Sequence, residues 1–261
     1  MTSSESQCRR KYVPRYQQHH ERRRQNPEVW IKLQEKRGTM HMLDINLSPR
    51  LSIRVFQGAG SLGTRTWPSA IGLAQWIAAS DENLAGLQVL ECGAGTGLVS
   101  LALASRGASV LATDVDNNAL RLVEMAAKEQ GLTAKLRTAT YDICSAQPLP
   151  QCDILVAADL TYSEKLADAC ARRCDEVIRA GGRAVIADPR RPFRHVFHES
   201  LKRACSGTYS ALVRTAGEAG DFDMWRHACS TMSSGISEQA VLMLHIEAEE
   251  EIEMSAADLK G

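Results

Sequence analysis

The stretch Gln88–Leu98 reads QVLECGAGTGL and places alternating glycines between a short apolar run and a second apolar segment. The run Gln88–Cys92 predicts a β-strand, and the segment Thr96–Ser105 predicts a helix. Gly93 and Gly95 let the backbone turn sharply and let a ligand approach where a Cβ would collide. The following helix presents free N–H groups at its positive end. The stretch therefore predicts a ligand-binding loop between a strand and a helix.

Strand and helix patterns alternate along most of the remaining chain. Further strands are predicted at 109–113, 134–138, 153–157, 183–187, 209–215 and 238–247, and helices at 117–130, 163–179 and 193–204. This alternation indicates βαβ units, and right-handed crossovers place helices on both faces of the sheet. A long loop at 216–237 favours an antiparallel pair at the end. We predict an α/β fold: a Rossmann-like, seven-stranded, mostly parallel sheet with an antiparallel closing strand.

Weaker patterns precede the glycine-rich stretch. Apolar and polar residues alternate between Ile45 and Val55, which predicts a hairpin or strand pair. Thr66 is predicted to cap a helix that has Pro68 in its first turn and continues to about Ser80. The predicted organisation is a disordered basic extension at 1–26, a strand and loop element at 27–66, the main domain at 67–248 and an acidic tail at 249–261.

Composition narrows the class of protein. The chain has 261 residues, with 31 Lys and Arg against 31 Asp and Glu. This length fits one large domain with an extension. No apolar run reaches the ~18 residues of a membrane span, so we expect no membrane partner. The zero net charge argues against a nucleic-acid partner. It averages a basic start (ten basic against four acidic residues in 1–40) and an acidic end (one against six in 240–261).

Cysteine usage and the N-terminal sequence bear on location. The eight cysteines are scattered without a CxxC pair, which favours free thiols in a reducing compartment and no metal site. The N-terminal segment lacks the apolar run of a secretory signal. We expect an intracellular protein of the cytoplasm. The Arg-rich start keeps the mitochondrion as an alternative.

Acidic and aromatic residues near the strand ends indicate the ligand. Glu91 precedes a GxGxG pattern and suits a cationic ligand that carries an amine better than a pyrophosphate. Asp114 follows Gly93 by 21 residues, the spacing at which an acid holds a ribose diol. Tyr141 and Asp142 follow the third strand, where they would stack on an adenine and accept from its amine. Ribose, adenine and a cationic amino-acid moiety together predict S-adenosylmethionine.

These residues resemble the seven-β-strand methyltransferases, and among them the protein-lysine methyltransferase branch, over roughly residues 60–247. The segment 66–70 (TWPSA) looks like the Trp-Pro element of that branch, and 93–98 (GAGTGL) looks like its glycine loop. The main domain would then be a methyltransferase domain. The cofactor contacts predicted from the residues and from this resemblance are Trp67, Glu91, Gly93, Ala94, Gly95, Gly97, Asp114, Tyr141, Asp142 and Ala158.

The resemblance extends to the substrate side. The segment 159–162 (DLTY) matches the branch's acid, two variable positions and aromatic residue. It implies that Asp159 positions or deprotonates the lysine amine and that Tyr162 shapes the lysine channel. The segment 188–192 (DPRRP) resembles a motif of the lysine methyltransferases that modify the β-subunit of electron transfer flavoprotein. Asp188 and Arg191 would lie at the substrate rim, where Arg191 could pair with a substrate acid.

The expected function is S-adenosylmethionine-dependent methyl transfer to a lysine of a protein substrate. Electron transfer flavoprotein β-subunit is one candidate, and a chaperone is another, since the glycine loop looks more like that of the chaperone-modifying members. We expect the enzyme to act as a monomer. Two alternatives stay open: a small-molecule N- or O-methyltransferase, and a non-catalytic module that binds the cofactor or a partner.

Overall fold

A computed structural model describes residues 27–189, 191–205, 211–215, 226–227, 239–240 and 242–248. The strands are β1 (His41–Ser48), β2 (Leu51–Gln57), β3 (Gln88–Cys92), β4 (Ser109–Asp114), β5 (Leu136–Thr140), β6 (Ile154–Ala158), β7 (Arg183–Asp188), β8 (Ala211–Thr215), β9 (Arg226–His227), β10 (Gln239–Ala240) and β11 (Leu242–Ala248). The helices are α1 (Pro27–Arg37), α2 (Pro68–Ala79), α3 (Leu98–Ser105), α4 (Asn117–Glu129), α5 (Glu164–Arg179) and α6 (Arg194–Cys205).

Seven strands form the central sheet in the order β5–β4–β3–β6–β7–β11–β8. The first five run parallel, whereas β11 is antiparallel to both β7 and β8. This confirms the predicted fold class and its antiparallel closing strand. The strand order reverses at β3, which lies between β4 and β6. In open α/β sheets ligands bind at such a reversal, outside the carboxyl ends of the strands.

Two large apolar clusters, one on each face of the sheet, make up most of the core among the described residues. Successive strand residues point to opposite faces, so Val89 belongs to one cluster and Leu90 to the other. The Val89 cluster includes side chains of α2, α3 and α4, and the Leu90 cluster includes those of α5 and α6. Both β3 residues are buried, at 2% and 1% exposure. The sheet is therefore covered on both faces, as a parallel sheet requires.

The predicted strand pair before the main domain is confirmed as the antiparallel hairpin β1–β2. Its buried residues Ile53 and Val55 belong to the Val89 cluster. The amide side chain of Gln130, at the end of α4, also binds the hairpin: it accepts from the Arg54 backbone N–H at 2.9 Å and donates to the Arg54 carbonyl at 2.8 Å. The hairpin is thus fastened to the main domain by apolar packing and by hydrogen bonds.

Several element boundaries differ from those predicted. The helix after the glycine loop begins at Leu98, not Thr96, because Gly97 precedes it in a left-handed conformation (φ +77°). Thr66 was predicted to cap α2, but Trp67 holds the cap position without a side-chain cap hydrogen bond. Instead, the Thr66 hydroxyl bonds the Thr96 hydroxyl at 3.0 Å, so it joins α2 to the glycine loop.

Three further elements differ from the prediction. The third predicted strand lies two residues later, at β5, and the last one is divided into β10 and β11. Helix α1 was not predicted. Its sequence PEVWIKLQEKR has weak apolar periodicity. The predicted extension at 1–26 and tail at 249–261 lie outside the described residues. None of the helices in the described ranges is long and apolar enough to span a membrane.

Replacing Gly97 with Ala is expected to destabilise the fold. A Cβ there would lie 2.6 Å from Val123 Cγ2, in addition to the left-handed backbone. Gly131→Ala is the matched control, because Gly131 has φ +69° and nothing within 4 Å of an added Cβ. In the control, backbone strain alone should lower the unfolding free energy by about 1 kcal/mol. In Gly97→Ala, the steric clash with Val123 should lower it by about 1–3 kcal/mol more. Equal losses in urea denaturation would contradict this reading.

Candidate active site

A cleft opens at the carboxyl ends of β3, β4, β5 and β6, where the strand order reverses. Most of the residues predicted to bind cofactor or substrate line it. These are Trp67, Gly93, Gly95, Asp114, Tyr141, Asp142, Ala158, Asp159 and Tyr162. Parallel register accounts for the convergence: Cys92 of β3 pairs with Thr113 of β4 and with Ala157 of β6. The residues that follow these three are therefore brought to one edge.

The glycine loop is packed too closely for side chains. A Cβ on Gly93 would lie 2.5 Å from a methyl of Leu160, which follows β6 and also lines the cleft. On the other side, a Cβ on Gly95 would lie 3.3 Å from the carbonyl oxygen of Gly63. The loop is thus in contact with the segment after β6 and with the segment before α2. Gly93 and Gly95 are half-buried and line the cleft, so a ligand in the cleft can reach their backbone.

Asp114 ends β4 with its carboxylate held by two backbone donors. The Gly95 N–H donates to Oδ2 at 3.0 Å, and the Asp116 N–H donates to Oδ1 at 2.9 Å. The residue is 8% exposed, and burial is the main cause that raises its pKa above the ordinary range. The carboxylate is therefore oriented by the glycine loop and by the start of α4, at the position where this class of fold holds a ribose.

The segment between β2 and α2 forms a wall that the sequence analysis missed. Ser61, Leu62 and Gly63 line the cleft together with Trp67. The Ser61 hydroxyl donates to Asp116, whose carboxylate also caps α4 by accepting from the Asn118 N–H at 2.9 Å. The Trp67 indole N–H donates to the Leu62 carbonyl at 3.1 Å. The sequence pattern D-x-N at 116–118 indicates the cap of α4, whereas no sequence pattern indicates the contact between Asp116 and Ser61.

Three of the residues predicted to contact the cofactor, Glu91, Ala94 and Gly97, do not line the cleft. Glu91 is 2% exposed and accepts a hydrogen bond from the Ser100 hydroxyl of α3. Burial, as the largest cause, raises its pKa to about 8. Strand alternation turns the Glu91 side chain towards α3. Ala94 is buried with its N–H bonded to the strand β4, and Gly97 packs on α4.

Asp159 has an unusual backbone and a charged partner. It is the only non-glycine residue among those described with a positive φ, at 63°. Its carboxylate accepts from Arg191 at two points, Nε–Oδ1 at 2.5 Å and Nη2–Oδ2 at 2.8 Å. This contact is the main cause that raises the Arg191 pKa. The Arg191 guanidinium also lies 5.7 Å from the centre of the Trp67 ring, within cation–π range.

The structure changes the roles predicted for Arg191 and Asp188. Arg191 already pairs with Asp159, so it is not an open site for a substrate acid. Asp188 is 0% exposed and therefore does not lie at a rim. It accepts from the hydroxyl of buried Thr161 and from the Arg191 backbone N–H at 2.9 Å. Asp188 and Thr161 thus hold the backbone of Arg191 in place. Thr161 occupies one of the two variable positions of the DLTY segment, and no sequence pattern predicted its contact with Asp188.

The charges of the cleft fit a cationic ligand rich in hydrogen-bond donors. Four carboxylates line it, those of Asp114, Asp116, Asp142 and Asp159. Among the described lining residues none is Lys or Arg. S-adenosylmethionine offers a sulfonium, an ammonium, a ribose diol and an adenine amine, each of which is a cation or a donor. The four carboxylates would repel a pyrophosphate. The acceptors of the cleft therefore fit S-adenosylmethionine.

Fold and cleft together are those of an S-adenosylmethionine-dependent methyltransferase. A family model described as "Lysine methyltransferase" matches residues 46–203, more than half of the chain. The protein belongs to this lysine methyltransferase family.

Individual relatives match a shorter part of the chain. An electron transfer flavoprotein beta subunit lysine methyltransferase of Rattus norvegicus is 31% identical over 128 residues, covering 48% of this chain and 49% of the relative. Protein-lysine methyltransferase METTL21E of Mus musculus is 29% identical, covering 42% and 50%. A ubiquinone biosynthesis O-methyltransferase of Leptothrix cholodnii is 28% identical, covering 41% and 46%. The chain thus spans about half the length of the relatives it matches.

Solved structures share the fold. The 16S rRNA methyltransferase RsmC of Thermus thermophilus superposes with a TM-score of 0.52 at 16% identity, covering 81% of this chain and 51% of that one. The [4+2]-cyclase SpnF gives 0.50 at 18% identity, covering 72% and 85%. Since these two proteins catalyse different reactions, their likeness concerns the fold alone.

The buried Glu91 predicts a pH-dependent stability of the cofactor-free protein. Its pKa is about 8 in the fold against an ordinary 4.5, so the folded state holds the extra proton between these values. Its contribution is fully present below pH 4.5 and is lost as the pH rises through 8. Between pH 5 and 8 the unfolding free energy should fall by about 1 kcal/mol per pH unit more in the wild type than in Glu91→Gln.

The matched control for this measurement is Glu124→Gln on α4, where the side chain is 46% exposed. It should leave the wild-type pH dependence in place. Parallel urea curves for wild type and Glu91→Gln across this range would contradict the assignment of a buried, protonated Glu91.

Proposed function

We propose that the protein transfers the methyl group of S-adenosylmethionine to a lysine side-chain amine of a protein substrate. The observation that carries the proposal is the Asp159–Arg191 pair, which lies beside aromatic residues of the cleft. Trp67 contacts Arg191, and Tyr162 lines the same cleft at 36% exposure. A carboxylate beside aromatic side chains suits a long aliphatic stem that ends in an amine. Membership of the lysine methyltransferase family supports the same acceptor.

We assign the cofactor to the inner part of the cleft. Asp114 would hold the ribose hydroxyls, and Tyr141 with Asp142 would bind the adenine. The backbone of Gly93 and Gly95 would face the amino-acid part. When bound, S-adenosylmethionine supplies a methyl group that is already activated on sulfur. The protein then has to align the acceptor amine with the methyl group and exclude water from it, and these two effects account for much of the catalysis in such reactions.

The acceptor amine has to lose its proton before it attacks the methyl carbon. Lysine is protonated at neutral pH, with an ordinary pKa of about 10.4. A lone carboxylate would hold the ammonium form, whereas a cation nearby favours the neutral amine. The bidentate contact with Arg191 neutralises Asp159. We infer that Asp159 orients the amine through its oxygens, while Arg191 prevents the site from trapping the ammonium.

The protein substrate is proposed from the relatives and from the mouth of the cleft. Leu62 is 46% exposed and lines the cleft together with Tyr162, which leaves apolar surface for residues that flank a target lysine. The named rat relative makes electron transfer flavoprotein β-subunit the first candidate substrate, and a chaperone is the second. A small-molecule acceptor is the competing proposal, because several matched relatives are ubiquinone biosynthesis O-methyltransferases.

The acceptor can be tested with methyl-labelled cofactor. Purified protein would be incubated with the labelled cofactor and, in separate reactions, with electron transfer flavoprotein, with a purified chaperone and with a cell extract. Mass spectrometry should locate the label on a lysine of a protein. A label that appears only in small molecules would replace our proposal with the competing one.

Asp159→Asn is expected to lower kcat by about 100-fold or more while the dissociation constant of the cofactor changes less than about threefold. Asn tolerates a positive φ, so the variant removes the charge without straining the backbone. Calorimetry and a methylation assay measure the two quantities. Asp44→Asn is the matched control, because Asp44 also binds an arginine at two points, at 2.7 and 3.0 Å from Arg54, on the hairpin. Full activity in Asp159→Asn would refute the role of this carboxylate.

Arg191→Gln is expected to shift the pH dependence of kcat. Without the guanidinium, Asp159 would stabilise the ammonium form of the bound lysine, so the acidic limb should move upward by about one pH unit or more. Arg191→Lys keeps a positive charge and should leave the limb in place at a lower rate. The measurement is kcat at saturating substrate from pH 6 to 10. An unchanged limb in Arg191→Gln would contradict the electrostatic role.

A further inference from the structure

The segment 141–149 between β5 and β6 forms one wall of the cleft without helix or strand of its own. Tyr141, Asp142 and Ile143 contribute its lining side chains. The segment makes some internal contacts: the Tyr141 hydroxyl donates to the Gln147 carbonyl at 2.9 Å, and the Cys144 N–H donates to the Asp142 carboxylate at 2.9 Å. A stretch without regular backbone pairing needs other partners to keep one shape.

Arg173 of α5 provides those partners from behind the wall. Its Nε donates to the Ile143 carbonyl at 3.1 Å, and its Nη2 donates to the Ser145 carbonyl at 2.6 Å. Its guanidinium carbon lies 5.6 Å from the centre of the Tyr141 ring. Arg173 is only 5% exposed and does not line the cleft. A planar fork of donors is the group that can bind two carbonyls and a ring at once.

Glu176 completes the arrangement on the same face of α5. Its Oε2 accepts from Arg173 Nη1 at 2.6 Å, and its Oε1 accepts from the Leu149 N–H at 2.7 Å. One turn of helix thus contacts the beginning, the middle and the end of the segment. The buried charge has a counter-ion and two carbonyl partners, as a buried guanidinium requires. Every one of these partners except Glu176 belongs to the wall.

We propose that Arg173, supported by Glu176, is a positioning residue for the cofactor: it fixes the segment 141–149 so that the adenine-binding surface exists before the cofactor arrives. Preorganisation of this kind improves affinity because the ordering of the segment is not left to the binding step. The proposal rests on the cofactor alone, and the identity of the methyl acceptor does not affect it.

The neighbouring arginine gives a matched control for the test. Arg172 occupies the same helix one residue earlier, is 50% exposed and pairs with Asp168 at 3.2 Å. Arg173→Met and Arg172→Met therefore make the same chemical change on the inner and outer side of α5. Calorimetry with S-adenosylmethionine and S-adenosylhomocysteine should show at least a tenfold rise in the dissociation constant for Arg173→Met. For Arg172→Met the constant should stay within twofold of the wild type.

Amide hydrogen exchange distinguishes positioning from general loosening. In cofactor-free Arg173→Met, the amides of 142–149 should exchange faster while those of β3 and β4 keep their wild-type protection. Added cofactor should slow the exchange of the segment again. With any methyl acceptor on which the enzyme is active, Arg173→Met should raise the KM for the cofactor, while kcat at saturating cofactor stays within about threefold of the wild type.

Arg173→Lys keeps the charge but not the fork, so its affinity should fall between those of the wild type and Arg173→Met. If Arg173→Met does not fold, Glu176→Gln tests the same link and should raise the dissociation constant and the exchange of 142–149 together. Wild-type affinity in a folded Arg173 or Glu176 variant would overturn the proposal. Faster exchange in β3 and β4 to the same degree as in the segment would overturn it as well.

Discussion

The close approach of backbone and side chains around β3 is the constraint on which the rest of the molecule depends. Leu160 packs where a Cβ of Gly93 would lie, and Val123 packs where a Cβ of Gly97 would lie. These contacts draw the segment after β6 and the helix α4 onto the glycine loop. The ends of β3, β4 and β6 can then share one cleft, and the acids Asp114 and Asp159 can both line it.

Two arginines support the cleft although no Lys or Arg is among the described residues that line it. Arg191 holds Asp159 and stacks on Trp67, and Arg173 holds the segment 141–149. Both guanidiniums act on loops that follow parallel strands, where the backbone has no ladder to keep its shape. The acids of the lining suit a sulfonium ligand, while the two arginines hold the loops that carry this lining.

The sequence was sufficient for features with a local signal, and insufficient for contacts between distant segments. The glycine loop and Asp114 followed from their spacing, and the fold class followed from the alternation of strands and helices. The burial of Glu91 against α3 was not predicted, although strand alternation from Val89 indicates that side of the sheet. The pair Asp159–Arg191 joins residues 32 positions apart. This contact depends on how the loop after β6 packs against the loop after β7. The pattern of apolar and polar residues carries no information on such packing.

The position of β11 has a consequence for synthesis. This strand, the last one described, lies inside the sheet between β7 and β8. During translation the edge of β7 that pairs with β11 therefore stays open until residue 246 has been synthesised, because β11 follows both β7 and β8 in the sequence. Open edges invite pairing with other chains. The residues that line the cleft, from Ser61 to Leu166, all precede β11 in the sequence, so they are synthesised before the strand that covers this edge.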